Sequence, residues 1–115
     1  MLKPVRWLGA SRSAMRNAPE DVRIHGGYEL YRLQLGREPL DWKPMASIGS
    51  GTAEIRIPGP APHRVLYVAK FEEAVYVLHV FEKKRGRTSA LDLEIGRARY
   101  RELTHLRARE RREQR

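Results

Sequence analysis

Hydrophobic and polar positions alternate in residues 52–57 (TAEIRI), and residues 63–71 (HRVLYVAKF) have one wholly apolar face, formed by Val65, Tyr67, Ala69 and Phe71, opposite a face that includes Arg64 and Lys70. This period of two predicts β-strands with one apolar face. Residues 74–82 (AVYVLHVFE) are apolar almost throughout, as is typical of a central strand covered on both faces. Short turn sequences separate the three segments. They are therefore predicted to form an antiparallel meander.

The first third of the chain is predicted to contain one short strand and two helices. Residues 3–9 (KPVRWLG) suit an edge strand, and residues 11–17 (SRSAMRN) suit a short helix. From residue 20 to residue 35 the apolar positions recur every three or four residues, which predicts a longer helix. Asn17 is the predicted N-cap of this helix, and Gly36 is its predicted stop.

Glycines and prolines add two further predictions. The pair Gly26-Gly27 weakens the longer helix and indicates that it approaches a neighbouring element closely. Residues 37–51 contain two prolines and two glycines without a clear period, so they are predicted to form a long loop.

A last helix is predicted to begin at Ser89, because Asp92 follows three residues later as in a capping box. Its predicted apolar stripe consists of Leu91, Ile95, Ala98, Leu103 and Leu106. Beyond this stripe the basic tail, residues 107–115, is expected to fray. The element order is then β-α-α-β-β-β-α. This order predicts an α+β fold in a single domain over residues 1–115, with a small, mostly antiparallel sheet packed against helices.

Charge is concentrated in the C-terminal third. The net formal charge is +9, and residues 83–115 carry 12 Lys and Arg against 5 Asp and Glu. This balance favours a polyanionic partner, most simply nucleic acid, although the tail could equally be a solvated charged helix. The chain has no cysteine, and its first residues lack the apolar length of a signal peptide or membrane span. A cytoplasmic protein without a membrane partner is expected.

Several kinds of site are excluded by the residues present. The segment Gly49–Gly51 lacks the lysine of a phosphate-binding loop, and no serine lies in a nucleophile elbow. The four histidines fall in four different elements without helical i,i+4 pairing, so no metal site and no cofactor are predicted.

A set of cations on and after the predicted meander is the remaining candidate for chemistry. Two of them flank one hairpin and can face the same side of neighbouring strands. The others leave the end of the next strand. Such a cluster can hold a scissile phosphate and stabilise its transition state, or it can simply bind nucleic acid. The residues are Arg56, Arg64, Lys83, Lys84, Arg85 and Arg87.

Four phrases of the sequence resemble one known family. They are DWKPMASIGSGTAEIRI, HRVLYVAKF, VYVLHVFEKKRGRTS and EIGRARYRE, which together cover most of residues 40–102. The combination is similar to the phage-derived, HigB-like branch of the RelE toxin superfamily. The predicted element order also matches the small sheet and packed helices of that family, so a RelE-like fold is expected.

The resemblance implies a toxin of a type II toxin–antitoxin system. Members of that family cleave messenger RNA, usually in the ribosomal A site, by attack of the 2′-hydroxyl on the adjacent phosphate without a metal. They are neutralised by a small helix-turn-helix antitoxin. By position, Arg64 matches the arginine that stabilises the transition state, and Arg56 matches the arginine of the preceding strand. Lys83 and Lys84 match a lysine pair that contacts the phosphate and can protonate the leaving 5′-oxygen.

The resemblance leaves the general base open, because the chain after the lysine pair offers only Tyr100 and His105 in place of the aromatic residues of relatives. Histidine side chains in general can donate and accept protons near neutral pH, which makes His79 a candidate acid or base, but strand alternation places it with Val75, Val77 and Phe81, as for a structural histidine. His63 is the other candidate.

Three roles of lesser weight complete the prediction. Lys43 in the long loop either reaches the phosphate or is solvated, and Arg85 and Arg87 are predicted to bind RNA. The alternative function is a non-catalytic module of the same fold that binds nucleic acid or the antitoxin.

Overall fold

A computed structural model describes residues 2–114 and contains one five-stranded sheet in the order β1-β5-β4-β3-β2. Strand β1 runs parallel to β5, and the other neighbours are antiparallel. This confirms the α+β prediction. The elements are β1 (Val5–Trp7), α1 (Ser11–Arg16), α2 (Glu20–Gln34), β2 (Trp42–Pro44), β3 (Thr52–Ile57), β4 (His63–Val68), β5 (Val75–Glu82) and α3 (Ala90–Glu113).

Strand β5 separates two hydrophobic cores, as predicted from its continuous apolar run. On one side Val75, Val77 and Val80 pack into the core shared with α2, which we call the α2 face of the sheet. On the other side Tyr76, Leu78 and Phe81 pack into the core shared with α3, the α3 face. Helices thus cover both faces of the sheet.

A β-bulge in β5 changes which side chains face α3. Leu66 of β4 pairs with His79, but the next residue, Tyr67, pairs with Val77, so Leu78 is the extra residue. A bulge of this kind reverses the alternation beyond it. The prediction that His79 shares a side with Val75 and Val77 is therefore wrong, and His79 lies on the α3 face.

The predicted long loop contains a short strand that the sequence pattern did not reveal. Residues Trp42–Pro44 form β2, an edge strand paired with β3. Three residues are too few to show a period, and the strand exists because β3 supplies its hydrogen-bond partners. An edge position also tolerates Pro44, which has no amide hydrogen to donate.

The predicted N-cap of α2 is wrong. Asn17 ends α1 as its C-cap, while Pro19 is the N-cap of α2. The predicted close approach is confirmed at Gly26. A Cβ there would lie 2.8 Å from Met15 Cε and 3.3 Å from Ile57 Cδ1, so α2 packs closely against α1 and the sheet, and a larger residue would require these two side-chain ends to shift.

Helix α3 begins as predicted, because the amide of Asp92 donates to Ser89 Oγ (3.1 Å). Its buried face differs from the predicted stripe: Leu91, in the first turn, is exposed, and the residues that meet the sheet are Leu93, Gly96, Tyr100, Leu103 and Leu106. The helix continues to Glu113 instead of fraying after Leu106. Arg115 lies outside the described residues. Within residues 2–114, no helix is long and apolar enough to span a membrane.

An ion pair explains part of this extension. Arg107 Nε donates to Glu73 Oε2 (2.6 Å) in the turn before β5, and the guanidinium lies 3.5 Å from the Phe71 ring centroid. The hydrogen bond from Arg107 lowers the pKa of Glu73 to about 2. Tyr76 also donates to Glu73 (2.8 Å). The pKa of Tyr76 is raised to about 12, mainly by burial of the hydroxyl and to a smaller extent by this hydrogen bond.

We expect this ion pair to make stability depend on pH. Because the pKa of Glu73 falls from 4.5 to about 2 on folding, its contribution is complete above pH 4.5 and is lost as the pH falls towards 2. Glu73→Gln should therefore lower the free energy of unfolding by about 1 kcal/mol at neutral pH, the discounted value for a partly exposed pair. Urea denaturation across this pH range measures the effect.

Glu102→Gln is the matched control, because Glu102 pairs with Arg99 on the surface of α3, the helix that also carries Arg107. A difference between wild type and Glu73→Gln that stays constant down to the lowest pH would contradict the assignment.

Candidate active site

The strand register places the predicted arginines and several other polar residues on the α3 face. One row across the sheet contains Lys43, Glu54, Leu66 and His79, each opposite the next. The adjacent row contains Arg56, Arg64 and Phe81. The sequence-based expectation that Arg56 and Arg64 are cross-strand neighbours on one face is confirmed. Because the rows are adjacent, this face brings three cations around one carboxylate.

Glu54 is the centre of this arrangement. It is buried, and its Oε1 lies 3.3 Å from Arg64 Nε and 3.8 Å from Arg56 Nε. Two adjacent guanidinium groups repel each other, and a buried carboxylate without cations would be strongly unfavourable. Each charge therefore stabilises the others, and Glu54 keeps the two arginines side by side.

The arginines retain unused hydrogen-bonding capacity. Within residues 2–114, the buried Nε atoms of both Arg56 and Arg64 have no hydrogen-bond partner. Arg64 Nη1 donates only to the adjacent His63 carbonyl (3.2 Å). The side chain of Arg56 is 38% exposed and that of Arg64 is 18% exposed, so both can be reached from solvent. Guanidinium groups held in this way suit a planar or tetrahedral oxyanion.

The start of α3 lies against the same face. Thr88 Oγ1 donates to Glu54 Oε2 at a long 3.5 Å. His79 Nε2 is 2.8 Å from Asp92 Oδ1, and the His79 ring stacks on Phe81 with the centroids 4.9 Å apart. His79 is thus held by packing and by a carboxylate, as a structural histidine would be, but it lies on the side of the sheet that carries the arginines.

The lysine pair lies at the end of β5 with other partners. Lys83 Nζ donates to the carbonyl of Gly86, and its amide donates to Pro62 (2.7 Å). Lys84 Nζ pairs with Glu82 (2.9 Å), and this pairing lowers the pKa of Glu82. The structure therefore places both ammonium groups on the turn after β5, whereas Arg56 and Arg64 meet at Glu54.

The remaining predicted site residues divide between the two faces and the turn. Lys43 is half-buried opposite Glu54 on the α3 face. His63 is buried on the α2 face, opposite Ile57, with Nδ1 2.7 Å from the Ala61 carbonyl. Arg85 and Arg87 are exposed in the turn. Strand alternation thus separates His63 from Arg64.

Two residues of the site were not assigned to it from the sequence. Glu54 alternates with apolar residues and looks like an ordinary solvent-facing position, yet its spacing of two from Arg56 is the signal that they share a face. Asp92 was predicted only as a cap partner. It accepts from Ser89 and also contacts His79, which the distance along the chain conceals.

We expect the charge of Glu54 to stabilise the fold through the arginines. Glu54→Gln keeps the shape but leaves two neighbouring cations uncompensated, so it should lower the free energy of unfolding by about 2 kcal/mol. A double-mutant cycle with Arg64→Met, read by urea denaturation, should give a coupling of roughly 0.5–3 kcal/mol. Additive effects of the two substitutions would contradict the pairing.

Comparison with known proteins identifies the family. The family model described as "Phage derived protein Gp49-like (DUF891)" matches residues 13–101, which span most of α1, all of α2, strands β2 to β5 and the first half of α3. A comparison with curated proteins gave no significant match. The matched region contains all the polar residues described on the α3 face. A toxin family of this kind implies an antitoxin partner. The chain belongs to the phage-derived Gp49-like family, which is a RelE/HigB-like toxin family.

Proposed function

We propose that this protein is the toxin of a type II toxin–antitoxin system, of the HigB branch, and that it is a metal-independent endoribonuclease acting on messenger RNA at the ribosome. The observation that supports this most directly is the pair Arg56 and Arg64, held side by side by buried Glu54. Their guanidinium groups are partly exposed and are suited to the charge that develops on a phosphate under attack.

The proposed reaction needs two proton transfers and no external cofactor. A base removes the proton of the 2′-hydroxyl, and this oxygen forms a bond to the adjacent phosphorus. The bond from phosphorus to the 5′-oxygen then breaks, and an acid protonates that oxygen. The products are a 2′,3′-cyclic phosphate and a 5′-hydroxyl end, and the arginines stabilise the extra negative charge between these steps.

Lys83 and Lys84 are the proposed phosphate contacts and proton donors. For this role Lys84 has to exchange Glu82 for RNA, which a surface ion pair allows at little cost. His79 is the proposed acid or base on the α3 face, with Asp92 orienting its ring. His63 fits this role poorly, since it faces the α2 side.

The partners follow from the same charges. Lys43, Arg85 and Arg87 are proposed to contact the RNA backbone, and a helix-turn-helix antitoxin is the proposed neutralising partner. Messenger RNA and ribosomal RNA are the polyanions, so the site of action would be the cytoplasm. In the structure Lys83 bonds to the Gly86 carbonyl and Lys84 to Glu82, so neither ammonium group lies beside the two arginines. This arrangement favours one alternative, a module that binds nucleic acid or the antitoxin without cleaving.

Cleavage should depend on Arg64 and Lys84. Arg64→Ala should reduce the cleavage rate by about 10²–10³-fold, as for loss of one oxyanion donor, and Lys84→Ala by about 10²-fold, as for loss of a proton donor. Mapping new 5′ ends in messenger RNA after induction measures both. Arg64→Lys keeps the charge but loses the planar fork, so it should recover little activity.

Arg101→Ala is the matched control, because Arg101 is an exposed arginine of α3. Folded, abundant wild type that produces no new ends would overturn the catalytic proposal and favour the binding module.

RNA binding should weaken steeply with salt. If six or more phosphates are neutralised, affinity should fall by about 10³-fold or more between roughly 50 and 200 mM salt. Fluorescence anisotropy with a short labelled RNA and the Lys84→Ala protein, whose surface ion pair is dispensable for folding, measures the slope without cleavage. A slope close to zero would exclude this electrostatic mode of binding.

A further inference from the structure

The outer face of α2 carries a continuous stripe of exposed apolar side chains. Its members are Ile24, Tyr28, Tyr31 and Leu35, and Leu40 follows in the next loop; each is 45–67% exposed. The helical members are spaced i, i+4, i+7 and i+11, so they lie on one face. Exposed stripes of this size mark interaction sites in soluble proteins.

The stripe lies opposite the face that α2 buries. Val22, Gly26, Leu30 and Leu33 face the sheet and are already packed in the core. Single exposed apolar residues are ordinary, but a contiguous exposed stripe indicates an interaction surface. Among the described residues the outer face of α2 is uncovered and is open to a partner.

The middle of the stripe allows close approach. Gly27 is the central residue of α2, next to Tyr28, and within residues 2–114 no atom beyond its chain neighbours and the backbone of its own helix lies within 4 Å of the position that a Cβ would occupy there. Unlike Gly26, this glycine has no packing reason inside the chain. Bare backbone at a helix midpoint admits a second helix at short distance, as small residues do at other helix crossings.

The charges along α2 favour a second copy of the same helix. Glu20 and Asp21 begin it and outweigh the exposed Arg23 beside them, while Arg32 and Arg37 lie near its end, with Arg32 Nε donating to the Glu38 carbonyl (2.9 Å). In an antiparallel pair related by a two-fold axis, each acidic end meets the basic end of the partner. A polyanion would gain little here, because acidic and basic residues balance along this surface in an otherwise basic protein.

We infer that α2 pairs with α2 of a second copy in an antiparallel, two-fold symmetric dimer centred between Gly27 and Tyr28. Tyr28 of each copy fills the space above Gly27 of the other, and Ile24 contacts Tyr31 across the interface. The stripe offers roughly 400–700 Å² per copy, judged from the usual area of such side chains. With its charged flanks it approaches the roughly 800 Å² per partner of a stable interface.

This dimer does not rest on the proposed function, and it leaves the candidate active site of each copy open. Helix α2 lies on the α2 face of the sheet, whereas Arg56 and Arg64 lie on the α3 face. A readout of molecular mass therefore tests the dimer whether or not the chain cleaves RNA.

Sedimentation across low to high micromolar concentrations of the full chain tests the inference. Wild type should shift from monomer to dimer, and Ile24→Glu should raise the dissociation constant at least about tenfold, as for a central interface residue. Leu91→Glu is the matched control, since Leu91 on α3 is 65% exposed against 66% for Ile24. Equal weakening by both substitutions, or a monomer at every concentration, would overturn the inference.

Engineered cysteines test the antiparallel geometry, because the chain has no cysteine of its own. Ile24→Cys mixed with Tyr31→Cys should form a disulfide-linked dimer faster than either variant alone. In the antiparallel pair two residues at position 24 are offset by about 10 Å along the axis, too far for a disulfide. Faster linkage of Ile24→Cys with itself would indicate a parallel pair and contradict the model.

A helical antitoxin could occupy the same stripe. If Ile24→Glu abolishes antitoxin binding while wild type alone stays monomeric, the face belongs to the antitoxin and the self-association inference fails.

Discussion

Burial of both faces of β5 is the constraint on which the rest of the molecule depends. Its neighbours β1 and β4 satisfy its backbone hydrogen bonds, and its side chains need cover from α2 on one face and α3 on the other. Truncating one of its large side chains to alanine would cost about 2–5 kcal/mol, a large share of the stability of a small domain. The helices are therefore held in place by the strand that also orients the polar rows.

The rigid core fixes the positions of the charged side chains on the α3 face, although placing charges beside buried residues is electrostatically unfavourable. Arg56 and Arg64 lie beside fully buried apolar residues, where an isolated charge would be unstable, and Glu54 compensates both. The carboxylate does not neutralise them completely, since one negative charge faces two positive ones. The sheet thus keeps two cations close together and leaves them able to bind an anion.

The sequence revealed those features that repeat along the chain. Strict alternation predicted β3 with its observed bounds, and the hairpin geometry placed Arg56 opposite Arg64. The bulge at Leu78 was hidden because β5 is apolar on both faces, so no change of period marks it. Strand β2 was hidden because three residues show no period. Its existence depends on pairing with β3, which lies outside local sequence.

Of the polar residues on the α3 face, the two arginines could be named from the sequence, whereas the acids could not. Arginine clusters are conspicuous in composition, whereas Glu54 and Asp92 acquire their roles only when β3, β5 and the start of α3 come together. The helix cap at Ser89 illustrates the reverse case, because a capping box is a local pattern and was read correctly.

The unequal burial of the cations has a genetic consequence. Loss of Arg64 disturbs a charge cluster tied to a buried carboxylate, whereas Lys84 pairs only with exposed Glu82. Destabilised chains are removed by cellular proteases, and well-folded ones persist. Inactive alleles should therefore fall into two kinds: those at Arg64 would leave little protein, and those at Lys84 would leave a stable, harmless decoy that still occupies the partners of the active form.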